Sequence, residues 1–191
     1  MRSIARTMLL ITIAAVSAAP ALAAEQYKVD AVHSSVVFRV KHMSVSYCYG
    51  RFNKVSGTFH LDEQNPAESI IDVTVDVNSI DTANEKRDEH LRKADFFDAE
   101  KFPTIRFQGT KVSRNNAGTF KVDGNLTLHG VTRPVTVEIE ATGSGKGTLG
   151  ETRSGLEGIF SIRRSEFGMD RMIGPVADDI RLMVSLEGIR Q

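Results

Sequence analysis

The amino-acid sequence predicts an all-β domain, an eight-stranded antiparallel up-and-down β-barrel with an apolar interior and a short helical insertion near residues 84-102. Two observations predict this fold. From residue 25 onward, apolar and polar residues alternate almost throughout the chain, which is typical of strands with one buried and one wet face. Short clusters of turn-forming residues separate the alternating segments, so successive strands are expected to be antiparallel neighbours.

The first 23 residues are predicted to be a secretory signal peptide. Arg2 and Arg6 precede an uncharged run that extends from residue 8 to residue 24 and ends in small residues around Ala23. Pro20 interrupts this run, which is also shorter than the ~20 residues that a membrane-spanning helix needs. We therefore expect a signal peptide at 1-23 and a single mature domain at 24-191, without a stable membrane anchor.

The composition of the mature domain narrows its function classes. Without Arg2 and Arg6 it has 22 basic and 24 acidic residues, a net charge of −2, so nothing in it attracts nucleic acid electrostatically. The single cysteine, Cys48, cannot form an intramolecular disulfide, and the fold must be stabilised by packing. An export signal without a disulfide framework favours a bacterial periplasm, and we expect a periplasmic protein.

The predicted strands follow from the period-two alternation. The clearest strand contains Ile71, Val73 and Val75 on one face, with polar residues between them on the other. Turn signals lie at 64–66, 114–118, 129–130 and 143–150. The eight predicted strands are 35–41, 51–62, 70–77, 104–110, 120–128, 134–141, 156–164 and 179–187, with a short further strand at 27–29 before them.

One segment interrupts the alternation. Residues 84–93 are highly charged, and residues 95–102 carry aromatic side chains about one helical turn apart. Both patterns predict short helices. Pro103 is expected to end the second helix and to begin the next strand, and the charged face of the first helix is expected to lie in solvent.

Eight antiparallel strands with short connections form either a two-sheet sandwich or a closed barrel. The inward positions are apolar, with little charge and no tryptophan. An eight-stranded barrel is just wide enough to be filled by its own side chains or to hold one slender ligand, and the alternation leaves both outcomes open. The inward positions are Val36, Phe38, Val40, Phe52, Phe59, Leu61, Val73, Val75, Ile105, Phe107, Leu126, Leu128, Val137, Ile139, Phe160, Ile162, Leu182 and Val184.

Two residues at strand ends interrupt this apolar inner face. Continuing the alternation places His42 inward after Val40, and Arg164 inward after Ile162. A buried arginine is costly unless it is paired, so Arg164 requires either an acidic partner or an anionic ligand head group. The nearby acidic candidates are Glu166, Asp170, Asp178 and Asp179. His42 either contacts the same head group or points to solvent beyond its strand.

The sequence contains no catalytic or metal-binding constellation, and we expect no catalytic residue, metal site or cofactor. The histidines are not three or four residues apart, as paired ligands on one helix face would be. Cys48 lacks a basic neighbour that would make it a nucleophile. The alternative is a lipid-modifying or hydrolytic enzyme with its site at the barrel mouth, where it would use His42 or His129.

Six short motifs occur in the order found in one known family. They are His33-Ser34 with Val37-Phe38 and Lys41-His42; Gly50-Arg51-Phe52 with Ser56-Gly57; Arg87-Asp88-Glu89-His90-Leu91 with Asp95-Phe96-Phe97; Phe102-Pro103-Thr104-Ile105; Leu126-Thr127-Leu128-His129-Gly130-Val131-Thr132; and Arg164-Ser165-Glu166-Phe167-Gly168-Met169. With these motifs the chain resembles the YceI family of bacterial periplasmic proteins, which are similar to lipocalins in architecture and bind polyisoprenoid lipids. The resemblance covers essentially the whole mature chain.

The resemblance implies a lipocalin-like barrel with an apolar tunnel for a long-chain isoprenoid lipid of the polyprenyl or isoprenoid-quinone type, with a helical flap over its mouth. It implies no cofactor and no established catalysis. A fatty acid or fatty amide is the alternative ligand, and pairing of two barrels into a homodimer is left open. The bulky Tyr47-Cys48-Tyr49 segment departs from the family pattern and would narrow the tunnel if it pointed inward. The flap and the strand ends add Phe96, Phe97, Phe167 and Met169 to the expected tunnel wall.

Overall fold

A computed structural model describes residues 25–115 and 117–191. The predicted signal peptide lies outside the described residues, so export stays a prediction. None of the helices in the described part of the chain has the length and hydropathy needed to cross a bilayer.

The described chain folds into eleven strands and one α-helix. Short 3-10 turns lie at Pro66–Glu68, Val77–Ser79 and Arg164–Phe167. The strands are β1 (Tyr27–Val29), β2 (Ser35–His42), β3 (Ser46–Phe52), β4 (Val55–His60), β5 (Ile70–Asp76), β6 (Ile80–Asp81), β7 (Thr104–Arg114), β8 (Phe120–Leu128), β9 (Val131–Lys146), β10 (Thr152–Arg163) and β11 (Val176–Arg190), and the helix is α1 (Glu85–Arg92).

The eleven strands make eight barrel strands, because three of the eight are bent into two segments. β1 continues into β2, β3 continues into β4, and β5 continues into β6. β1 pairs with β4, β2 pairs with β3, and β6 pairs with the other edge of β3. From β5 onward each strand pairs antiparallel with the next, through β7, β8, β9 and β10 to β11. β11 closes the ring by pairing with both β1 and β2. The predicted eight-stranded antiparallel up-and-down barrel is confirmed.

Each predicted strand has one counterpart, and the differences lie at strand ends. β9 runs through glycines that the sequence assigned to a loop, because Gly143 and Gly145 pair in register with β10. β3 begins at Ser46, ahead of the expected start at 51. At Val77 and at Arg164 the chain turns into 3-10 geometry where the alternation predicted continued strand.

The predicted helical insertion is helical only in its first half. α1 lies where it was expected, and the side chain of Asn84 caps it by accepting a hydrogen bond from the Arg87 N–H at 3.0 Å. Residues 95–102 form successive turns, so the prediction of a second helix is wrong. Asp98 has a φ of 46°, and a left-handed residue cannot continue a right-handed helix.

The barrel has two different ends. The closed end, where the chain reverses at 60–70, 114–120 and 146–152, is filled by packed side chains. Phe59, Phe120 and Val122 are at most 1% exposed, and the Tyr27 ring stacks on Phe59 with 5.6 Å between ring centroids. The opposite end, called the mouth end below, carries the β2–β3 turn, the insertion at 82–103, the β8–β9 turn and the β10–β11 loop at 168–175.

Candidate functional site

An apolar cavity occupies the barrel interior between the packed closed end and the mouth end. The cavity has a volume of about 200 Å³. Such a narrow space suits one slender chain better than a bulky molecule. Its wall is formed by Val36, Phe38, Val40, Phe52, Ile71, Val73, Val75, Leu91, Phe96, Phe97, Ile105, Phe107, Val122, Leu126, Leu128, Val137, Ile139, Leu156, Gly158, Phe160, Ile162, Arg164, Met169, Val176, Ile180, Leu182, Val184 and Leu186.

The structure places all but three of the predicted tunnel residues on this wall. Leu61 is partly buried and packs against the core instead, and the other two exceptions, Phe59 and Phe167, are fully buried. Phe59 belongs to the packed closed end, and Phe167 packs beneath the β10–β11 loop, where its carbonyl lies 3.2 Å from Nδ1 of His129. Both residues support the cavity from outside instead of lining it.

Sequence reasoning missed part of the wall at the mouth end. Val176 precedes the predicted last strand, and an irregularity in the pairing of β11 with β2 separates it from Ile180, which interrupts the alternation. Leu91 lies on α1, which was expected to face solvent. It is the single apolar residue of that helix, and this exception in an otherwise charged segment is the signal that could have identified it.

Three apolar side chains of the insertion cover part of the mouth end. Leu91 projects from α1, and Phe96 and Phe97 follow in the turns after it. The Phe97 N–H donates to the Leu91 carbonyl at 3.0 Å, and the Phe97 ring meets Phe52 edge-on with 5.7 Å between centroids. The insertion therefore covers the cavity as the family resemblance implied, although mostly with turns.

A buried polar cluster fixes α1 in place over the cavity. The carboxylate of Asp88, which is buried, accepts hydrogen bonds from the backbone N–H and the hydroxyl of Thr82, at 2.9 and 2.5 Å. The Arg87 guanidinium donates to the Thr82 hydroxyl and carbonyl, each at 2.7 Å. The helix is thereby attached to the residue that follows β6, which holds Leu91 at the cavity.

Arg164 is the one charged residue among those that line the cavity, and it is 4% exposed. Its guanidinium donates to four backbone carbonyls of the segment that surrounds it. Burial lowers the pKa of Arg164, while the Asp178 and Asp170 carboxylates oppose that shift. The four acceptors are the carbonyl oxygens of Ala177 at 3.0 Å, Met169 at 2.6 Å, Arg171 at 2.7 Å and Val176 at 3.0 Å.

These carbonyls stabilise the buried guanidinium, a role that the sequence analysis assigned to an acidic side chain or a ligand head group. Asp178, one of the four candidate partners, accepts instead from the N–H and hydroxyl of Ser165, at 2.8 and 2.7 Å. A guanidinium has five N–H groups, and the described residues accept four of them. One N–H of Arg164 therefore has no acceptor among the described residues.

His42 and the two tyrosines lie outside the cavity. His42 is exposed at the end of β2 and is absent from the wall. Tyr47 and Tyr49 are exposed on the outer face of β3, so they do not narrow the interior. Cys48 lies between them and is partly buried.

The described residues contain one group with the composition of a metal site, formed by Asp30, His33 and Glu187. Arg153 already pairs with it, since its guanidinium contacts Glu187 and lies 2.9 Å from Asp30. The hydrogen bond with His33, helped by Arg153, lowers the pKa of Asp30 to about 2. This cluster is best explained as an ionic network near the closed end, away from the mouth of the cavity.

Comparisons with known proteins agree with this architecture. Residues 27–188 match the YceI-like domain family. A UPF0312 protein of Pseudomonas aeruginosa is 41% identical over 177 residues, which are 92% of each chain. The crystal structure of the Campylobacter jejuni YceI protein has a TM-score of 0.70 at 30% identity and covers 79% of this chain and 90% of that one. A polyisoprenoid-binding domain from Saccharophagus degradans has the same fold, with a TM-score of 0.66 at 14% identity over 86% of this chain and 98% of that one. The chain therefore belongs to the YceI-like domain family.

Proposed function

We propose that this chain is a periplasmic binding and carrier protein for a long-chain isoprenoid lipid of the polyprenyl or isoprenoid-quinone type. The cavity carries the proposal, because it is narrow, packed shut at one end and lined by apolar residues apart from Arg164. The domain with this fold from Saccharophagus degradans is described as polyisoprenoid-binding. The signal peptide predicted at 1-23 supports a periplasmic location.

Burial of the isoprenoid tail would supply most of the affinity. Apolar surface removed from water contributes about 25 cal/mol per Å² before the costs of association are subtracted. The tail would lie along the wall toward the closed end. The head group would remain near the mouth end, where the free N–H of Arg164 can donate to a carbonyl or phosphate oxygen.

Organic extraction of protein purified without detergent, followed by mass spectrometry, tests the ligand. We expect an isoprenoid compound in a stoichiometric amount. A fatty acid or fatty amide would identify the alternative ligand class, and recovery of no lipid would contradict the proposal. Conversion of the bound lipid into a new product on incubation would support the enzymatic alternative.

A cavity-filling variant links the lipid to the cavity itself. Leu182→Trp enlarges a side chain that faces the interior, so it should reduce lipid recovery strongly while the barrel remains folded. Met183→Trp, the next residue on β11, faces the other side of the sheet and is the matched control. Equal lipid recovery from both variants would show that the lipid is held elsewhere.

Export is tested separately. Expression of the full chain in a bacterium, followed by periplasmic extraction and N-terminal sequencing, should give a mature protein that begins at Ala24. An uncleaved chain in the cytoplasmic fraction would contradict the periplasmic location without affecting lipid binding.

A further inference from the structure

Two neighbouring loops at the mouth end expose apolar side chains to solvent. In the β2–β3 turn, Met43 is 57% exposed and Val45 is 84% exposed. In the β10–β11 loop, Met172 and Ile173 are each 45% exposed. The N–H of Met43 donates to the carbonyl of Pro175 at 2.7 Å, so the two loops adjoin. We call Met43, Val45, Met172 and Ile173 the apolar tip.

The backbone of the apolar tip makes its methionines unexpected. Met43 has a φ of 50° and Met172 a φ of 59°, in the left-handed region that glycine and asparagine adopt more readily. At both positions the backbone conformation disfavours methionine, and exposure of its apolar side chain to water is unfavourable as well. Folding therefore gives no reason for these residue types, and strained residues of this kind often mark functional sites.

Cations flank the apolar tip on the outer face of the barrel. The Arg39 guanidinium lies 4.3 Å and the Lys41 ammonium 5.6 Å from the ring centroid of Tyr47. Arg39 is also directly opposite Arg181 in the β2–β11 register, although like charges in such pairs repel. Within the described residues none of these three cations forms a salt bridge with a carboxylate. In the described part of the chain this face therefore carries three cations without a salt-bridge partner beside exposed tyrosines, with the exposed Asp179 as a nearby carboxylate on β11.

We propose that the mouth end docks reversibly onto a bilayer surface that contains anionic lipids. The apolar tip inserts at the level of the head groups, while Arg39, Lys41 and Arg181 meet the lipid phosphates and Tyr47 lies at the interface, where tyrosine is favoured. So small an inserted area gives weak binding, which lets the protein leave the membrane again.

The docking surface adjoins the cavity wall at the mouth end, which connects this proposal to the proposed function on which it rests. Val176, in the cavity wall, pairs with His42, the residue immediately before Met43. Docking in this orientation would bring the opening against the membrane. A lipid tail could then pass between bilayer and cavity with little exposure to water.

Flotation of the purified mature chain with vesicles tests the docking surface. Vesicles of phosphatidylethanolamine and phosphatidylglycerol in equal parts should bind it, and vesicles of phosphatidylcholine should bind it less. The double variant Met43→Asn with Met172→Asn should bind the anionic vesicles about tenfold more weakly, while its melting temperature stays the same or rises, because asparagine tolerates the left-handed conformation. Lys41→Gln should weaken binding to the anionic vesicles about fivefold.

Matched controls lie at the opposite end. Leu149 is 93% exposed in the β9–β10 turn, and Leu149→Asn should bind vesicles like the unaltered chain, as should Lys28→Gln on β1. Unchanged vesicle binding in the double variant, or an equal loss in Leu149→Asn, would overturn the proposal. A third outcome would also overturn it: the unaltered chain forms dimers that the double variant disrupts, and it does not bind vesicles. The apolar tip would then be an interface between two copies of the chain.

Lipid extraction from the same preparations separates the two proposals. Retained lipid in a variant that no longer floats with vesicles would support docking as a distinct property. Lack of lipid in every preparation would contradict the proposed function, and the vesicle comparison among variants would still decide the docking surface.

Discussion

The closed end and the mouth end of the barrel are built for opposite purposes from the same inward-facing alternation. At the closed end, Phe59 and Phe120 pack against neighbours on all sides and are almost completely buried. Toward the mouth end, side chains such as Phe160 and Leu182 face empty space and are only partly buried. The packed end therefore supplies stability, while the other end is less tightly packed and keeps a space for binding.

Removal of one aromatic ring from each end should give the largest difference in stability loss between the two ends. Phe59→Ala leaves a new cavity in a packed site, and we expect it to lower the free energy of unfolding by about 3 to 5 kcal/mol. Phe160→Ala only widens a space that already exists, so we expect it to cost roughly half as much. Urea unfolding followed by circular dichroism measures both. Equal losses would mean that the two regions are equally well packed.

Substitution of the buried Arg164 at the mouth end should have the next largest effect on stability. Arg164→Leu leaves one buried and three partly buried hydrogen bonds to backbone carbonyls without their donor, and we expect a loss of roughly 3 kcal/mol in unfolding free energy. The adjacent Arg163 is exposed and pairs with Glu166 on the surface. Arg163→Leu is therefore the control, with an expected change within about 0.5 kcal/mol.

The outcome for Arg164 also decides its role. A small loss of stability together with weaker lipid retention would mean that the guanidinium is there chiefly for the ligand head group. A large loss of stability in protein without lipid would mean that it chiefly organises the β10–β11 loop.

The strands and the cavity wall could be predicted because period-two alternation is a local signal. Val73, Val75 and Leu126 face inward wherever their strands pair, so a correct strand assignment is enough to place them on the wall. The alternation predicts an inward position for both Phe59 and Phe38, although Phe59 is fully packed and Phe38 lines the cavity. Which inward residues face empty space depends on how the two ends close, and that is a non-local property.

Other features were hidden because they depend on backbone atoms. The partners of Arg164 are carbonyl oxygens, which every residue carries, so no residue type in the sequence identifies them. Gly143 is typical of a loop, yet its pairing with Gly155 extends β9. In the insertion, the spacing of the aromatic residues across 95–102 predicted a helix, because nothing in that spacing indicates the left-handed conformation of Asp98.

The cover of the mouth end can be loosened without disturbing the closed end. Asp88→Ala removes the acceptor that holds Thr82, at an expected cost on the order of 1 kcal/mol. Hydrogen exchange should become faster in α1 and in residues 93–99 and stay unchanged in β4. Glu89→Ala, on the exposed face of the same helix, is the control. Faster exchange in β4 as well would show that the two ends unfold as one unit.

The smallest expected effect concerns the ionic network near the closed end and appears only in acid. The hydrogen bond with His33 lowers the pKa of Asp30 to about 2, with help from Arg153 and against the opposing effect of burial. A carboxyl whose pKa is depressed by folding stabilises the protein fully above its unfolded pKa, and that stabilisation is lost as the pH falls through the folded value. The melting temperature of Asp30→Asn should therefore lie below that of the unaltered chain at neutral pH, and the difference should shrink between about pH 4 and pH 2. If the difference stays constant over that range, the carboxylate charge contributes nothing, and packing alone accounts for the stability of the closed end.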